Sequence, residues 1–399
     1  MNLDKLKTTK NIDVAGKRVL VRADLNVPVK DGKVTDATRL DRLVPGLKDL
    51  AARGAKVIVI SHFGRPKGGP DAEFSLKPIA SALGQSLGAP VTFGTDCVGP
   101  AAAETVAKLA NGQIAVLENL RFHKGEEQND SAFAAELAKL GDIFVGDAFS
   151  CAHRAHASTE GITHHLPSYA GPLLMDEINA LRAALEEPKR PTAAVVGGSK
   201  VSSKIPVLTN LVAKVDKLII GGGMANTFLQ SMGVMVAQSL AEPEFHYLAR
   251  EIMTEAKERG CKIILPIDAV TAAEFSADVP VKVVDIHKVP LDGMILDVGP
   301  KSVANVAKIL EECKTVLWNG PMGAFEMAPF AHGTFAMARQ VAAMTRAGKL
   351  VSVAGGGDTV AALNQAGVTQ DFTYVSTAGG AFLEWLEGRE LPGVAALAR

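Results

Sequence analysis

Short apolar runs rich in β-branched residues alternate with longer stretches of helical spacing along the whole chain. The runs lie at 19–21, 57–60, 114–117 and 143–145 in the first half, and at 193–196, 218–220, 263–265, 316–318 and 350–353 in the second. Buried strands that alternate with helices favour parallel sheets covered on both faces. Because crossovers between parallel strands are right-handed, the pattern predicts an α/β fold built from doubly wound parallel sheets (Rossmann-like).

The length of the chain, 399 residues, exceeds what one ordinary core accommodates, so the sequence predicts two domains. Pro172 and Pro188 enclose a segment with apolar residues at helical spacing, which we interpret as a helix that connects the two domains. The last residues, after Gly388, are apolar enough to pack on one of the domains.

Composition limits the partners and the compartment. The chain has 42 Lys and Arg against 43 Asp and Glu, so it has no overall attraction for nucleic acid or anionic membranes. Four scattered cysteines without a C-x-x-C pair argue against a metal cluster and a disulfide framework, and favour reduced thiols. The first ten residues lack the apolar core of a secretory signal, and the uncharged stretch 218–241 is too polar for a membrane span. We therefore expect a cytoplasmic protein, and a monomer.

In doubly wound folds, ligands bind beyond the carboxyl ends of the strands, so the residues after each run are informative. In the first half these positions carry arginine and histidine, namely Arg22, His62, Arg65, Arg121 and Arg154. Each one alone is by default an ordinary surface or structural residue. Their recurrence favours a shared basic pocket for a small anion, because guanidinium groups match carboxylate and phosphate.

Three further positions in the first half are ambiguous. Asp24 and Asn26 follow the first run and could be turn formers before Pro28 or ligands of substrate hydroxyls. Arg39 does not directly follow a strand, so the position of the strands assigns it no role.

In the second half the strand ends carry glycine and lysine, which suits a nucleotide polyphosphate. Three glycines, Gly355 to Gly357, end the last run before a helical segment, so phosphate could approach the bare backbone at a helix N-terminus. Asp358 could hold a hard cation, and Thr359 could donate its hydroxyl to phosphate. The alternative is a tight turn in which Asp358 caps the helix.

Three other features of this half also allow two interpretations. Lys200 and Lys204 share one face if their stretch is helical, and could bind phosphate or belong to a solvated helix. Glu326 is either a surface carboxylate or an acceptor for ribose hydroxyls, and the glycines 221–223 form either a tight turn or a flat surface for adenine. The chain has no P-loop, no G-x-G-x-x-G after the first run, no G-x-S-x-G and no H-E-x-x-H.

Six motifs together resemble those of the phosphoglycerate kinase family, in the family's order and over essentially the whole chain. They are RADLNVP (22–28), SHFGRP (61–66), AHRAHAS (152–158), GGSKVSSK (197–204), NGPMG (319–323) and GGGDT (355–359). The resemblance implies a glycolytic kinase that transfers a phosphoryl group reversibly between 1,3-bisphosphoglycerate with ADP and 3-phosphoglycerate with ATP, using Mg²⁺ and closure of a hinge. Two departures are Ser150-Cys151, where Gly-Thr is usual, and Ala378, where a third glycine is common.

The same resemblance implies domains, ligands and roles. The domains would be 1–172 for phosphoglycerate, with 389–399 packed back on it, a linker helix at 173–188, and 189–388 for the nucleotide. The phosphoglycerate ligands would be Asp24, Leu25, Asn26, Arg39, His62, Phe63, Gly64, Arg65, Arg121 and Arg154. The nucleotide ligands would be Lys200, Lys204, Gly222, Asn319, Pro321, Glu326, Gly356, Gly357, Asp358 and Thr359. Asp358 would hold Mg²⁺, and Arg39, Lys200, Lys204 and Gly357 would act in catalysis.

Two other classes of function remain open from the sequence. A dehydrogenase would also be a two-domain α/β protein, but it should carry a glycine fingerprint after a strand and bind NAD. A sugar-phosphate sensor would keep the arginine pocket and lack the set formed by Lys200 and Asp358, which is present here.

Overall fold

The structure is a computed structural model that describes residues 3–399. The chain divides into two compact units: unit 1 comprises Met1–Ile178 with Glu390–Arg399, and unit 2 comprises Asn179–Arg389. Each unit is built on its own six-stranded parallel sheet, which confirms the predicted α/β fold class.

The sheet of unit 1 contains every run predicted in the first half of the chain. Six strands form this sheet: β1 (Arg18–Arg22), β4 (Lys56–Ile60), β5 (Val91–Gly94), β6 (Ile114–Leu117), β7 (Ile143–Gly146) and β8 (Ser168–Ala170). Two short strands, β2 (Val29–Lys30) and β3 (Lys33–Val34), form a separate hairpin. The helices are α1 (Thr38–Ala52), α2 (Lys77–Leu87), α3 (Gly99–Ala107), α4 (Ser131–Ala138) and α5 (Pro172–Leu181). The strand order is β5-β6-β4-β1-β7-β8.

The central position of β1 follows from its composition. Val19, Leu20 and Val21 are all buried, and the strand pairs in parallel with β4 on one side and β7 on the other. Arg22 pairs with Ile60 and with Gly146, so three strands end at the same level. The loops that follow them, which carry the predicted basic residues, therefore start from one edge of the sheet.

The sheet of unit 2 likewise contains the five runs of the second half. The strands of the unit are β9 (Thr192–Val196), β10 (Lys217–Ile220), β11 (Lys262–Ile264), β12 (Asp268–Ala272), β13 (Lys282–Asp285), β14 (Met294–Val298), β15 (Thr315–Asn319), β16 (Val351–Gly355) and β17 (Tyr374–Ser376). The helices are α6 (Ile205–Val212), α7 (Gly222–Ser231), α8 (His246–Glu258), α9 (Pro300–Glu311), α10 (His332–Arg346), α11 (Gly357–Ala366) and α12 (Gly380–Leu386). The parallel sheet has the order β11-β10-β9-β15-β16-β17.

A second, antiparallel sheet in unit 2, with the order β13-β12-β14, was not predicted. Its outer strand β13 is largely exposed, with Val283 58% accessible, so it lacks the continuous apolar run of a buried parallel strand. The short edge strands β5, β8 and β17 escaped prediction for a related reason, since each has three or four residues and only part of each is buried.

The segment between the two prolines is helical, as α5 followed by a π-helical turn at Arg182–Glu186. The N-terminus of α5 is capped by Asp147, whose Oδ1 accepts hydrogen bonds from the backbone N–H groups of Leu173 (2.8 Å) and Leu174 (3.1 Å). The last helix, α13 (Pro392–Leu397), lies in unit 1, where the Gly393 N–H donates to the Ala152 carbonyl at 2.9 Å. Among residues 3–399, no helix combines the length and the apolar character that crossing a bilayer requires.

Candidate active site

The loop after β1 in unit 1 is ordered by the carboxylate of Asp24. Its Oδ1 accepts a hydrogen bond from the Asn26 N–H at 3.0 Å, and its Oδ2 accepts one from the Ser150 hydroxyl at 2.5 Å. Arg39, in the first turn of α1, forms an ion pair with Asp24 at 2.9 Å and donates to the Asn26 carbonyl at 2.8 Å. Asp24 and Arg39 therefore orient each other, while Arg39 keeps a third of its side chain accessible.

The loop after β4 is held by Asn119, which is fully buried. Its Oδ1 accepts from the N–H groups of Phe63 (3.2 Å) and Arg121 (3.0 Å), and its Nδ2 donates to the Phe63 carbonyl at 2.7 Å. Gly64 has a left-handed backbone (φ 58°), and its N–H donates to Asn26 Oδ1 at 3.0 Å. Asn119 thus joins the loops after β4 and β6.

Arg121 is mostly buried, with 8% of its side chain exposed. It donates to the Gly64 carbonyl at 2.8 Å and lies 3.3 Å from the Glu127 carboxylate. Arg65 and Arg154 are exposed. Burial, followed by the positive charges of Arg22, Arg121, His156 and Arg154, lowers the pKa of His62 to about 2. Similar causes lower the pKa of His156 to about 4, so these charges act together on one pocket.

Two sequence expectations for unit 1 need qualification. Arg22 is 2% exposed, so it belongs to the interior and not to the open face of the pocket. Leu25 is fully buried, and its N–H donates to the Ser61 hydroxyl at 3.0 Å, so its side chain lies in the interior.

Unit 2 contains a cavity of about 490 Å³. Its walls combine the glycine turns at strand ends with apolar side chains and three acidic residues. The lining residues are Gly198, Ser199, Gly222, Gly223, Asn226, Leu229, Leu240, Pro266, Phe275, Ile286, Met294, Ile295, Leu296, Asp297, Val298, Pro321, Met322, Gly323, Ala324, Glu326 and Asp358. The cavity has the size and the largely apolar lining of a small-molecule site.

The glycine turns at the mouth of the cavity pack backbone against backbone. A Cβ on Gly197 would collide with the carbonyl of Pro321, and one on Gly222 would collide with that of Gly198. Gly222 also has φ 69°, a conformation that glycine adopts without strain. These turns therefore require glycine for their own packing.

Asn319 links the ends of β15 and β16. Its Nδ2 donates to the Gly355 carbonyl at 2.8 Å, and its Oδ1 accepts a hydrogen bond from Lys204 Nζ. Thr359 is buried, and its hydroxyl oxygen accepts from the Gly320 N–H at 2.7 Å. Both side chains are thus engaged in fixing the turns around the helix start.

The two lysines do not share a helix face. The stretch from Lys200 to Lys204 is not helical, because α6 begins at Ile205 with Pro206 in its first turn. Lys200 is exposed, whereas Lys204 is half-buried, and burial lowers the pKa of Lys204 despite the opposing charges of Asp358 and Glu387. Gly357 and Asp358, at the start of α11, are both exposed.

Comparison with known proteins agrees with this geometry. The family model described as "Phosphoglycerate kinase" matches residues 9–389. The phosphoglycerate kinase of Rhizobium meliloti is 59% identical over 382 residues, covering 96% of both chains, and that of Agrobacterium fabrum is 60% identical over 385 residues, also covering 96% of both. The chain belongs to the phosphoglycerate kinase family.

Solved structures extend the likeness to the fold. The phosphoglycerate kinase of Coxiella burnetii matches with a TM-score of 0.92 and 43% identity, and that of Pyrococcus horikoshii with 0.81 and 29%, each over 98% of both chains. As a phosphoglycerate kinase the chain is a phosphotransferase, which confirms the glycolytic kinase activity predicted from its motifs. The family uses ADP and ATP.

The structure adds residues to this phosphoglycerate kinase that its sequence did not single out. Asn119 and Ser150 position the predicted ligands through the bonds given above. Asp297 lines the cavity and accepts from the N–H groups of Val298 (2.8 Å) and Gly333 (2.7 Å), and its burial raises its pKa to about 7. Asn119 lies two residues before Arg121, and Ser150 lies two residues before the AHRAHAS motif, whereas nothing in the sequence marks Asp297.

The cysteines form no disulfide in the described part of the chain. Cys97 lies with Asp96 and His123 in a group whose ligand-type atoms are within 4.8 Å of one another. His123 Nε2 is 2.7 Å from Asp96 Oδ1, and its ring stacks on Phe133.

Proposed function

We propose that unit 1 binds the phosphoglycerate and unit 2 binds the magnesium nucleotide, and that the phosphoryl group passes directly between them. The reaction interconverts 1,3-bisphosphoglycerate with ADP and 3-phosphoglycerate with ATP. The observation that carries the division of labour is the cavity of about 490 Å³, which brings Gly222, Pro321, Glu326 and Asp358 together in unit 2.

The phosphoglycerate would be held by exposed cations and by neutral donors. Arg65 and Arg154 are exposed, and Arg39 keeps a third of its side chain accessible, so all three are open to an anion. Asp24 and Asn26 lie beside Arg39, where their oxygens suit the substrate hydroxyl. A carboxylate and a phosphate on one small molecule match several guanidinium groups.

The nucleotide would place its base and ribose in the cavity, with Glu326 accepting from the ribose hydroxyls. Its phosphates would approach Lys200, Lys204 and the N-terminus of α11, where backbone N–H groups are unpaired. Asn319 and Thr359 would act by fixing these groups, because their side chains already bind neighbouring turns.

The donor set at the start of α11 fits Mg²⁺. Asp358 is exposed, and a single carboxylate together with phosphate oxygens is the usual way in which proteins hold this ion. When bound, the ion would neutralise charge on the phosphates. Lys204 lies near enough to Asp358 for their charges to interact, so it would bear on the same phosphates.

Catalysis would rest on position and charge. The attacking carboxylate of 3-phosphoglycerate is already ionised at pH 7, so no general base is needed. Arg39, the two lysines and the Gly357 N–H would stabilise the phosphoryl group during transfer. Transfer also requires the two bound ligands to meet, so we expect the units to close when both are bound. Small-angle scattering would then give a smaller radius of gyration with both ligands, and an equal radius would argue against closure.

A coupled assay of 3-phosphoglycerate with MgATP tests the activity, and absence of turnover by well-folded protein would overturn the proposal. Titration with NAD, which should not bind, separates it from a dehydrogenase.

Two single substitutions test the division between units. Arg65→Ala should raise the KM for 3-phosphoglycerate and leave that for MgATP unchanged, whereas Glu326→Ala should do the opposite. Equal effects of either substitution on both KM values would contradict the assignment.

A further inference from the structure

Arg22 ends the strand β1 beside the predicted phosphoglycerate site, yet each nitrogen of its guanidinium has a partner within the protein. Nε donates to the Ser158 hydroxyl at 2.8 Å, and Nη1 donates to the Ala23 carbonyl at 2.5 Å. Nη2 lies 3.1 Å from Nδ1 of His62. With every nitrogen in use and 2% of the residue exposed, Arg22 is not placed to bind an anion directly.

The partners of Arg22 continue to a buried carboxylate. Ser158, which accepts from Arg22, donates its own hydroxyl proton to Glu126 Oε1 at 2.6 Å, and its N–H donates to Oε2 at 3.0 Å. Glu126 and Ser158 are both fully buried. Burial raises the pKa of Glu126, while Arg22 and Ser158 favour its charged form. Through Ser158, the carboxyl group of Glu126 therefore fixes where the guanidinium points.

The contact between Arg22 and His62 determines which ring nitrogen carries the proton. A guanidinium has donors and no acceptor, so His62 Nδ1 must accept. Cys151 Sγ, a weak donor, lies 3.8 Å from the same nitrogen. Within residues 3–399, both hydrogen-bond contacts of the ring fall on Nδ1. Since a neutral imidazole has one N–H, the proton is on Nε2.

The surroundings also prevent the ring from taking a second proton. Arg22, Arg121, Arg154 and His156 all disfavour a cation at His62, and burial acts in the same direction more strongly. The ring therefore remains neutral throughout the pH range in which the enzyme would work.

We propose that Arg22, anchored by Ser158 and Glu126, is a positioning residue that holds His62 as the neutral Nε2–H tautomer, so that His62 meets the phosphoglycerate as a hydrogen-bond donor and not as a cation or a base. The inference rests on the proposed site in unit 1. Its consequence is that the three accessible arginines, Arg39, Arg65 and Arg154, supply charge to the site, while His62 supplies a donor whose strength does not change with pH.

Nuclear magnetic resonance of ¹⁵N-histidine-labelled protein tests the tautomer without any substrate. The chain has nine histidines, and the ring pattern that is missing from the spectrum of His62→Gln identifies His62. We expect His62 to show an Nε2–H tautomer that does not titrate between pH 5 and pH 8. An Nδ1–H tautomer, or a ring that becomes charged in this range, would overturn the proposal.

Ser158→Ala tests the anchor, because it releases Arg22 without altering Arg22 or His62. We expect a mixture of His62 tautomers, a KM for 3-phosphoglycerate raised about 10-fold, and an unchanged KM for MgATP. Ser168→Ala, which removes a hydroxyl bonded to the Leu166 carbonyl elsewhere in unit 1, is the matched control and should leave His62 unchanged. A single unaltered tautomer in both Ser158→Ala and Arg22→Met would refute the positioning role.

Two replacements of His62 test the donor itself. A Gln amide nitrogen can occupy the place of Nε2, whereas that of Asn lies nearer the place of Nδ1. We expect His62→Gln to raise the KM for 3-phosphoglycerate less than about 10-fold and His62→Asn about 100-fold. The reverse order would refute the donor role. Absence of turnover by the unsubstituted protein would instead contradict the proposed function, since the resonance experiment does not depend on activity.

Discussion

Gly357 offers the sharpest test of the nucleotide site, because the fold itself gives no reason for a glycine there. It is the first residue of α11, its φ is not positive, and a Cβ added to it would meet no atom within 4 Å. The two preceding glycines differ, since a Cβ on Gly355 would strike the Phe382 ring and one on Gly356 would lie 2.6 Å from Asn319 Nδ2.

Replacing Gly357 with alanine should therefore stabilise the protein. Glycine in a helix costs about 0.5–1 kcal/mol relative to alanine, and a gain of this size raises the melting temperature of a domain of about 200 residues by roughly 2 °C. The matched control is Gly222→Ala, at φ 69° and against the Gly198 carbonyl, which should lower the melting temperature. Calorimetry of the ligand-free proteins measures both.

The same Gly357→Ala change should reduce activity, since the new methyl group would stand where a phosphate approaches the backbone N–H. Loss of one such donor costs on the order of 3 kcal/mol of transition-state stabilisation, so we expect kcat to fall about 100-fold. Steady-state assays with 3-phosphoglycerate and MgATP measure it. A stable variant with full activity would refute a phosphate at Gly357, and a destabilised one would show that the glycine serves folding.

Three further predictions concern charged groups. Arg39→Ala should lower kcat far more than it weakens nucleotide binding, and an unchanged kcat would remove Arg39 from the mechanism. Asp358→Asn should raise the Mg²⁺ concentration needed for half-maximal rate about 10-fold or more, in activity titrations at fixed ATP. Burial raises the pKa of Asp147 to about 7. The folded protein thus keeps a proton that the unfolded chain loses near pH 4, and stability falls by up to about 4 kcal/mol as the pH rises from 4 to 7. Asp147→Asn keeps an oxygen that can accept from the N-terminus of α5, and it should reduce the loss of stability between pH 4 and pH 7 that thermal unfolding measures. An unaltered dependence of stability on pH would contradict the raised pKa of Asp147.

The elements that the sequence predicted are those whose signal is local. Central strands such as β1 and β15 are buried on both faces, so their composition alone marks them. The antiparallel sheet depends instead on pairing of the buried strand β12 with two strands that are partly or wholly exposed, and β13 has no buried residue. This sheet forms because strands that are separated in the chain pair with one another, and the composition of each strand does not reveal its partner.

The residues of the candidate site likewise include some that the sequence could propose and some that it could not. Residues just after the predicted strands, such as Arg65 and Asp358, could be proposed because parallel strands end together. The side chains that position them could not, because their partners are distant in the chain: Ser150 reaches Asp24 across 126 residues, and Ser158 reaches Arg22 across 136. A serine in the sequence does not indicate which carboxylate or guanidinium its hydroxyl will bind in the folded protein.

Counting arginines therefore overestimates the charge available to a substrate. Arg22 is turned inward and linked to Glu126 through Ser158, while Arg39 and Arg121 are paired with Asp24 and Glu127. In the described part of the chain, Arg65 and Arg154 are the members of the pocket without an ion pair. The paired arginines are held in place before a ligand arrives. When an anion binds, each of these arginines exchanges its carboxylate partner for the ligand and loses little side-chain entropy. Such exchange favours orientation over raw affinity, which suits a reaction whose main requirement is alignment.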